Sequence, residues 1–376
     1  MKLLKEAQID GKRVLLRVDY NVVVDNGKIV NDNRLKATLP TLQYLMQNHA
    51  KTIIVTHMGR PDGKTNDKYR LDPVAKHLGT LLAIDVKKCS LEEAQEAISS
   101  MKAGDVIMLE NIRFYPEEEK NDREFARRLA ALADTYVNDA FAVCHRDNAS
   151  VSAITEFLPS FAGLLLEKEV KNLSGVLDNP EKPYFAIIGG AKLETKIAVI
   201  ENLAKRTDKV LLGGAMIFPF YRAKGYETGK SLIAEKEVPL AKKLLDELGR
   251  KLLLPTDIVL DNGETVECNN IPKERAGLDI GHRTLARFAY AMRNAKTVVW
   301  NGPMGKFEDK AFAKGTIELA KVVSELQATT VIGGGETVAA VEEAGLTEKF
   351  TLVSTGGGAA LEFLEGKKLP GIAALD

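Results

Sequence analysis

The chain has 376 residues, of which 45% are hydrophobic and 28% are charged. This length exceeds what one ordinary hydrophobic core supports, so we expect two domains. Lys and Arg together number 52, as do Asp and Glu, which excludes a global charge that would draw the protein to nucleic acid or to an anionic membrane.

The N-terminal residues and the three cysteines bear on the cellular compartment. Charges interrupt residues 1–16, no small-residue cleavage site follows them, and no later apolar run reaches membrane-spanning length. Cys89, Cys144 and Cys268 lie far apart and form no C-x-x-C pair, which argues against a disulfide framework or a structural zinc site. We therefore expect a cytoplasmic protein.

In the first half of the chain, short β-branched runs alternate with longer helical patterns. This alternation predicts parallel strands joined by crossover helices, with strands at residues 14–18, 52–56, 106–109 and 135–137. Ligands of open parallel sheets bind beyond the carboxyl ends of the strands. We therefore expect one rim to carry the polar residues that follow these strands, namely Asp19, Asn21, Arg34, His57, Arg60, Arg113 and Arg146.

This predicted rim carries four arginines and a histidine. A single arginine after a strand is usually solvated or paired in a salt bridge. Four on one rim indicate a pocket for a small, multiply anionic molecule, because the planar guanidinium binds carboxylate and phosphate through two hydrogen bonds. The first half is therefore predicted to bind the substrate.

The second half begins after an amphipathic helical run at residues 164–177, which we interpret as an inter-domain helix. From there on, glycines follow the predicted strands, and two triple glycines at 333–335 and 356–358 each precede a helical run. Backbone N–H groups at such turns attract phosphate. One such turn could be a strand-to-helix connection without a ligand, but two favour a phosphate site.

Two familiar nucleotide motifs fail to match. The segment GYETGKS at 225–231 is one residue too short for a Walker A loop. Neither triple glycine fits G-x-G-x-x-G, because Val338 and Leu361 stand where the third glycine belongs. These mismatches weaken both the P-loop and the Rossmann dinucleotide interpretations.

Lys192 and Lys196 follow a double glycine at a predicted strand end. On a helix beginning near Ala191 both ammonium groups would share one face. A solvated pair is the ordinary alternative, but the position favours neutralisation of a phosphoryl group during transfer. No general base is evident, which is compatible with a carboxylate acceptor, already ionised at neutral pH with a pKa of about 4.

Eight motifs occur in order from about residue 10 to about residue 370 and closely resemble the phosphoglycerate kinase family. They are RVDYN, THMGRP, LENIRFYPEE, VNDAFAVCHR, IIGGAK, WNGPMGKFE, GGGET and VSTGGGAALEFLEG. The resemblance implies a phosphotransferase with a carboxyl acceptor, which moves a phosphoryl group reversibly between 1,3-bisphosphoglycerate and Mg-ADP to give 3-phosphoglycerate and Mg-ATP. The reaction is a step of glycolysis. From the balanced charge and the absence of a membrane-spanning run we expect no nucleic-acid or membrane partner, and we expect a monomer, although the sequence leaves the oligomeric state open.

The fold implied by the resemblance is α/β, with two doubly wound parallel-sheet (Rossmann-like) domains that face across a cleft and close on a hinge. We expect a phosphoglycerate-binding domain at 1–163, an inter-domain helix at 164–178 and a nucleotide-binding domain at 179–359. The tail at 360–376 is expected to pack back on the first domain.

Site residues carry over motif by motif. The seven rim residues named above are expected to bind phosphoglycerate. Arg34, Lys192 and Lys196 would steady the transferring phosphoryl group, helped by the turns at Gly334, Gly335, Gly357 and Gly358. The nucleotide would contact these lysines, Gly334 and Gly335, together with Gly213, Gly214, Asn301, Pro303, Glu308 (on the ribose), Glu336 and Thr337. Glu336 would face Mg²⁺, directly or through water.

Several positions depart from the family pattern, namely Thr195, Lys306, Glu336, Asp147 and Asn148, and we expect them to alter affinities and not the reaction class. Two alternatives stay open. A nicotinamide-dependent dehydrogenase is disfavoured by the failed glycine fingerprints. A non-catalytic binding protein would be free to lose Arg34, Lys192 or Lys196, and all three are present.

Overall fold

A computed structural model describes residues 1–376, which form two compact units. The first unit comprises residues 1–170 and 368–376, and the second comprises 171–367. The division falls within the helix Leu164–Asp178. The boundaries expected from the sequence were at 163 and 179, with the tail beginning at 360. None of the helices combines the length and the apolar content needed to cross a membrane.

The first unit is built on a six-stranded parallel sheet with the strand order β5-β6-β4-β1-β7-β8. Its strands are β1 (Arg13–Arg17), β2 (Val24–Asp25), β3 (Lys28–Ile29), β4 (Lys51–Val55), β5 (Lys87–Cys89), β6 (Val106–Leu109), β7 (Thr135–Asn138) and β8 (Ser160–Ala162), of which β2 and β3 form a separate hairpin. The helices are α1 (Asn33–Gln47), α2 (Asp72–Leu82), α3 (Ala94–Ser99), α4 (Pro116–Glu119), α5 (Arg123–Ala130) and the start of α6 (Leu164–Asp178).

Burial explains why these segments are strands. Every residue of β6 and β7 is buried, as expected for a parallel sheet whose two faces are covered, and such strands appear in sequence as continuous apolar runs. In the sheet, Val14 lies opposite Thr52 on one side and Thr135 on the other. The four strands predicted here lie within one residue of β1, β4, β6 and β7.

The second unit contains another six-stranded parallel sheet, with the order β11-β10-β9-β15-β16-β17. Its strands are β9 (Tyr184–Ile188), β10 (Lys209–Leu212), β11 (Leu252–Leu253), β12 (Asp257–Leu260), β13 (Thr265–Glu267), β14 (Gly277–Ile280), β15 (Thr297–Asn301), β16 (Thr329–Gly333) and β17 (Leu352–Val353). The helices are α7 (Ile197–Ala204), α8 (Phe218–Ala223), α9 (Val238–Leu248), α10 (His282–Met292), α11 (Lys314–Ser324), α12 (Gly335–Glu343) and α13 (Gly358–Leu364).

The second unit contains one sheet that the sequence predicts and one that it does not. Strands β9 and β15 are buried along their whole length and lie side by side, so the predicted parallel sheet with two covered faces is confirmed. Strands β12, β13 and β14 form an additional antiparallel sheet that the sequence analysis did not predict. These strands have only three or four residues each, too few for a clear periodic pattern.

The C-terminal residues belong to the first unit. Helix α14 (Pro370–Ala373) brings the N–H of Gly371 to the carbonyl of Cys144, at 2.9 Å. The amino group of Met1 donates to the carboxylate of Asp376, also at 2.9 Å. The two ends of the chain therefore lie together on this unit.

Asp139 connects the end of β7 to the start of α6. Its Oδ1 accepts hydrogen bonds from the N–H groups of Leu165 (2.8 Å) and Leu166 (3.1 Å), which are otherwise unsatisfied at a helix start. A Cβ on Gly163 would lie 2.2 Å from the same oxygen, so only glycine fits there. Burial raises the pKa of Asp139 to about 6.

The raised pKa of Asp139 predicts a pH-dependent stability. The folded state holds the proton more tightly than the unfolded chain, whose carboxyl has a pKa of about 3.9. The stabilising contribution is therefore complete below about pH 4 and is lost as the pH rises through about 6. We expect the free energy of unfolding to fall by about 2 kcal/mol over this interval in the native protein relative to Asp139→Asn. Urea unfolding followed by circular dichroism at several pH values measures this difference, and a difference independent of pH would contradict the assignment.

Candidate functional site

The first unit gathers most of the predicted rim residues beyond the carboxyl ends of four neighbouring strands. Arg34 donates to the Asp19 carboxylate, and the N–H of Asn21 donates to the other oxygen of Asp19 at 3.0 Å. The side-chain oxygen of Asn21 accepts from the N–H of Gly59 at 2.9 Å. The turn after β1 is thus tied both to helix α1 and to the turn after β4.

The turn after β4 also contacts the residues that follow β6. Arg113 donates to the carbonyl of Gly59 at 2.7 Å. Gly59 has a φ of +65°, and a Cβ there would lie 2.2 Å from the ring of Tyr69. The glycine of THMGRP is therefore required both by its backbone conformation and by the close approach of Tyr69. Arg60, one residue later, is exposed.

Asn111 connects the turn after β4 to the residues that follow β6 through buried hydrogen bonds. Its Oδ1 accepts from the N–H groups of Met58 (3.2 Å) and Arg113 (3.1 Å), while its Nδ2 donates to the carbonyls of Met58 (2.8 Å) and Tyr69 (2.9 Å). The side chain is fully buried and each of its polar atoms is paired twice. Asn111 is therefore a residue that supports the rim from within the fold.

Like charges and burial together perturb the groups of this rim. Burial, reinforced by the neighbouring guanidinium groups of Arg146 and Arg17, lowers the pKa of Arg113 to about 10. Burial and four surrounding arginines, Arg17 first, hold the pKa of His57 well below its usual range. The cations of this cluster repel one another and lower each other's pKa values. An anionic ligand bound among them would offset this repulsion.

Arg17 belongs to this cluster and was missed by the sequence analysis. It is 2% exposed, although it is the last residue of β1. The signal that could have revealed it is a charged residue inside an otherwise apolar strand, because arginine is almost never fully buried unless it is paired.

In the second unit, an apolar cavity of about 430 Å³ opens beside the glycine turns. It is lined by Gly190, Ala191, Gly214, Ala215, Ile217, Phe218, Leu232, Ile258, Gly277, Leu278, Asp279, Pro303, Met304, Gly305, Lys306, Glu308 and Glu336. Of the predicted nucleotide-binding residues, Gly214, Pro303, Glu308 and Glu336 lie here. A concave apolar site with a few polar groups suits a planar base.

A second cavity of about 400 Å³ shares part of this lining and is bounded mainly by glycines. Its lining consists of Gly189, Gly190, Ala191, Lys196, Asn301, Gly302, Pro303, Gly334, Gly335, Glu336 and Thr337. Gly334 has a φ of +90° and directly precedes α12, so the first N–H groups of that helix face this space. Such a cavity, with a lysine at its edge, suits phosphate groups.

Lys196 is the lysine of the second cavity. Its ammonium donates to Oδ1 of Asn301 at 2.7 Å, and the Nδ2 of that buried asparagine has no partner in the protein. Burial lowers the pKa of Lys196, while Glu336 and Glu365 oppose this effect. Because a lysine only donates, it orients the amide so that the unpaired Nδ2 donor is left for a ligand.

The predicted geometry of the two lysines was wrong. Helix α7 begins at Ile197, and Lys196 is the residue that precedes it, so Lys192 and Lys196 do not share a helical face. Residues 191–196 form bends and turns, and Lys192 is exposed and lines neither cavity. The double glycine continues into a longer loop than the sequence suggested, which places only Lys196 at the phosphate-sized cavity.

The predicted glycines differ in what they do. Gly214 has a φ of +68°, and a Cβ there would lie 2.4 Å from the carbonyl oxygen of Gly190. Gly213 lines neither of the two cavities, but a Cβ on it would lie 2.4 Å from the sulfur of Met304, which lines the apolar cavity. Gly357 precedes α13 with a φ of +51° and lines neither cavity.

Two carboxylates meet at the junction of the cavities. Partial burial raises the pKa of Glu336, as do the charge and a hydrogen bond of Glu308, whereas Lys196 lowers it. A bound cation would relieve the repulsion between the two glutamates.

Thr337, on the same helix as Glu336, fixes the loop that lines the second cavity. Its Oγ1 accepts from the N–H of Gly302 at 2.8 Å, and Trp300 donates to the Gly302 carbonyl at 2.8 Å.

Asp279 is a further residue of the apolar cavity that the sequence analysis missed. It accepts hydrogen bonds from the N–H groups of Ile280 (2.8 Å) and Gly315 (2.7 Å). Burial raises its pKa to about 7. A Cβ on Gly305 would lie 2.2 Å from its Oδ1, so Asp279 fixes the loop that carries Gly305 and Lys306.

The residues that depart from the family pattern make local contacts near the two sites. Asn148 is buried and donates to the carbonyl of Glu118 at 3.1 Å, so it is a structural residue, while Asp147 accepts from Asn121 at 2.8 Å. Thr195 donates to the carbonyl of Lys192 at 2.9 Å. Lys306 is half exposed at the edge of the apolar cavity.

Comparison with known proteins gives a consistent result. A family model described as phosphoglycerate kinase matches residues 4–367. A phosphoglycerate kinase of Pelotomaculum thermopropionicum is 49% identical over 100% of this chain and 98% of that protein. A phosphoglycerate kinase of Trichodesmium erythraeum is 51% identical over 99% of this chain and 98% of that protein. The solved phosphoglycerate kinase of Coxiella burnetii superposes with a TM-score of 0.90 at 38% identity, over 99% of this chain and 98% of that one.

The packing of Gly213 against Met304 predicts a selective effect on the apolar cavity. In Gly213→Ala the added methyl group would displace the Met304 side chain, and we expect the affinity for ADP to fall about 10-fold, or about 1.4 kcal/mol. Gly175→Ala is the matched control, because a Cβ there meets nothing within 4 Å and the residue lies inside helix α6. Calorimetric titration with ADP measures both, and an unchanged affinity in Gly213→Ala would show that Met304 does not shape the site.

Proposed function

Because the chain belongs to the phosphoglycerate kinase family, we propose how its residues divide the work of the reaction. The enzyme transfers a phosphoryl group reversibly between 1,3-bisphosphoglycerate and ADP, giving 3-phosphoglycerate and ATP, a step of glycolysis. The observation that supports the division best is the contrast between an arginine-rich rim in the first unit and glycine-lined cavities in the second.

The rim of the first unit is proposed to bind the phosphoglycerate. Its anionic groups would pair with Arg60, Arg113 and Arg146, with Asn21 and His57 as hydrogen-bonding partners. Asp19 would act through Arg34, because its carboxylate is already engaged by that guanidinium. Bidentate pairing with guanidinium groups suits both carboxylate and phosphate.

The second unit is proposed to bind the nucleotide. The base would occupy the apolar cavity against Gly214, Pro303 and Met304, and Glu308 would accept from the ribose. The phosphates would face the glycine-lined cavity, where the N–H groups near Gly334 and Gly335, the Nδ2 of Asn301 and the ammonium of Lys196 converge. Gly213 and Thr337 would shape the walls of the two cavities, the former through Met304.

Transfer itself requires charge stabilisation more than proton transfer. The attacking carboxylate is already ionised at neutral pH, so no general base has to activate it. Arg34 and Lys196 would stabilise the negative charge that spreads over the transferring phosphoryl oxygens. Lys192 is exposed in a loop, and Gly357 directly precedes helix α13. We propose that both residues take part in transfer through loop positions that are adopted when the reactants bind.

Magnesium would accompany the nucleotide. Glu336 is the carboxylate that fits the metal ion, because it borders both cavities and its negative charge is repelled by that of Glu308, a repulsion that a cation would offset. The metal ion would neutralise phosphate charge, and Glu336 would contact it directly or through a water molecule. We further propose that the enzyme is a cytoplasmic monomer, and that it bends at a hinge during turnover, as the family resemblance implies.

A coupled assay with ATP and 3-phosphoglycerate tests the function directly. Turnover dependent on both substrates is the expected result. Reduction of a nicotinamide cofactor in place of phosphoryl transfer would indicate the dehydrogenase alternative. Binding of both substrates without turnover would indicate a protein that binds but does not catalyse.

Removal of either transition-state cation should abolish most of the turnover. We expect Lys196→Ala and Arg34→Ala each to lower kcat by about 100-fold or more, because each charge is needed mainly in the transition state. Lys205→Ala and Lys36→Ala are matched controls, since Lys205 lies at the other end of α7 and Lys36 lies on α1, paired with Asp32. Steady-state kinetics with circular dichroism as a folding check decide the matter, and near-normal turnover in either variant would remove that residue from the catalytic set.

Glu336→Gln should separate metal binding from nucleotide binding. Loss of the charge opposite the cation should weaken Mg-ADP binding about 10-fold. Binding of metal-free ADP should be unchanged or slightly tighter, because an anionic ligand then meets one glutamate fewer. Glu343→Gln, at the far end of α12, serves as the control. Calorimetric titrations with and without magnesium measure both affinities, and equal losses would exclude Glu336 from the metal.

A further inference from the structure

Arg17 is a buried cation at the base of the arginine cluster, and the reaction as described so far gives it no task. Its Nε donates to the hydroxyl of Ser150 at 2.8 Å, and its Nη1 donates to the carbonyl of Val18. Ser150 in turn donates through its N–H (2.9 Å) and its hydroxyl (2.6 Å) to Glu118, which is 1% exposed. The guanidinium is therefore held rigidly, with a buried carboxylate behind it.

The remaining nitrogen of Arg17 faces a histidine. Its Nη2 lies 3.4 Å from Nδ1 of His57, which is 3% exposed. A guanidinium can only donate hydrogen bonds, so Nδ1 has to present its lone pair and the ring proton has to be on Nε2. Nε2 has no hydrogen-bond partner within the protein, so its proton is available to a ligand.

Asp19 is the one group that could favour the opposite tautomer. Its Oδ1 lies 3.9 Å from Nδ1 of His57, which is beyond hydrogen-bonding distance. That oxygen already accepts from the N–H of Asn21, and the other oxygen pairs with Arg34. Asp19 therefore does not compete with Arg17 for Nδ1.

The charges that face His57 all act in the same direction except that of Asp19. Arg17 on β1, Arg34 on α1, Arg113 after β6 and Arg146 after β7 each disfavour an imidazolium. Burial disfavours it further, and together these effects hold the pKa of His57 well below its usual range. The ring is therefore neutral at physiological pH.

We propose that Arg17 is a positioning residue that holds His57 as a neutral imidazole with its proton on Nε2, so that the acceptor substrate meets one fixed hydrogen-bond donor. This inference rests on the proposed role of His57 in binding phosphoglycerate. Arg17 contributes to affinity for the acceptor through His57, without touching the substrate. Because His57 carries no charge, it adds a directional hydrogen bond to the cluster without adding to the repulsion among its arginines.

The decisive measurement is made on the native enzyme. In a protein labelled with ¹⁵N in its histidines, long-range ¹H–¹⁵N correlation spectra identify which ring nitrogen carries the proton, and comparison with His57→Gln assigns the signals of His57. We expect a single Nε2–H tautomer that does not titrate between about pH 6 and pH 9. A proton on Nδ1, or titration within this range, would overturn the proposal whether or not the enzyme is active.

Variants then test whether Arg17 acts through His57. Arg17→Met should allow a mixture of tautomers or a titrating ring, and should raise KM for 3-phosphoglycerate about 10-fold while changing kcat and KM for ATP by less than about 3-fold. Arg13→Met, on the same strand and paired with Asp134, should leave the His57 signals unchanged. An unchanged tautomer in folded Arg17→Met would contradict the proposal.

A double-mutant cycle completes the test. His57→Gln replaces the imidazole with a neutral amide whose orientation does not depend on a tautomer. If Arg17 acts through His57, Arg17→Met should have little further effect on KM for 3-phosphoglycerate in the His57→Gln background. Additive effects would show that Arg17 has a separate, purely structural role. If Arg17→Met does not fold, Arg17→Lys takes its place in the cycle, and the spectrum of the native enzyme still decides the tautomer.

Discussion

Repulsion between guanidinium groups at the ends of four parallel strands is the constraint on which the first unit depends. Cations placed close together and partly out of water are costly unless each has its own acceptor. Arg34 has Asp19, Arg113 has the carbonyl of Gly59, and Arg17 has Ser150 with Glu118 behind it. These partners fix the side chains, and the carboxylates of Asp19 and Glu118 offset part of the positive charge. A multiply charged anion would offset the remaining positive charge, so the groups whose repulsion constrains the fold also define the ligand.

The second unit meets an anion by a different physical route. Most of its donors are backbone N–H groups at strand-to-helix turns, which carry no net charge and therefore repel one another little. Lys196 is the cation at the phosphate-sized cavity, and its pKa is lowered by burial. The second unit therefore meets phosphate mainly through dipoles, with a single charged side chain at the phosphate-sized cavity.

How far the sequence could predict this arrangement depended on the kind of signal. The rule that ligands lie beyond parallel strand ends grouped Asp19, Asn21 and Arg113 correctly, because strand periodicity is a local property. The start of α7 was placed six residues too early, because residues 191–196 form a loop that no local signal separates from the helix. Arg17 and Asp279 were missed because their importance arises from burial and from partners far away in sequence. Contacts of that kind require the three-dimensional structure.

The hydrogen bond from Trp300 to the carbonyl of Gly302 has a practical consequence. Trp300 is the only tryptophan of the chain, it is fully buried, and its partner lies in the lining of the phosphate-sized cavity. Intrinsic fluorescence excited at the red edge of the absorption band therefore originates from one indole in the second unit. The molecule thus carries a built-in optical reporter that is confined to its nucleotide-binding half and leaves the arginine-rich half spectroscopically silent.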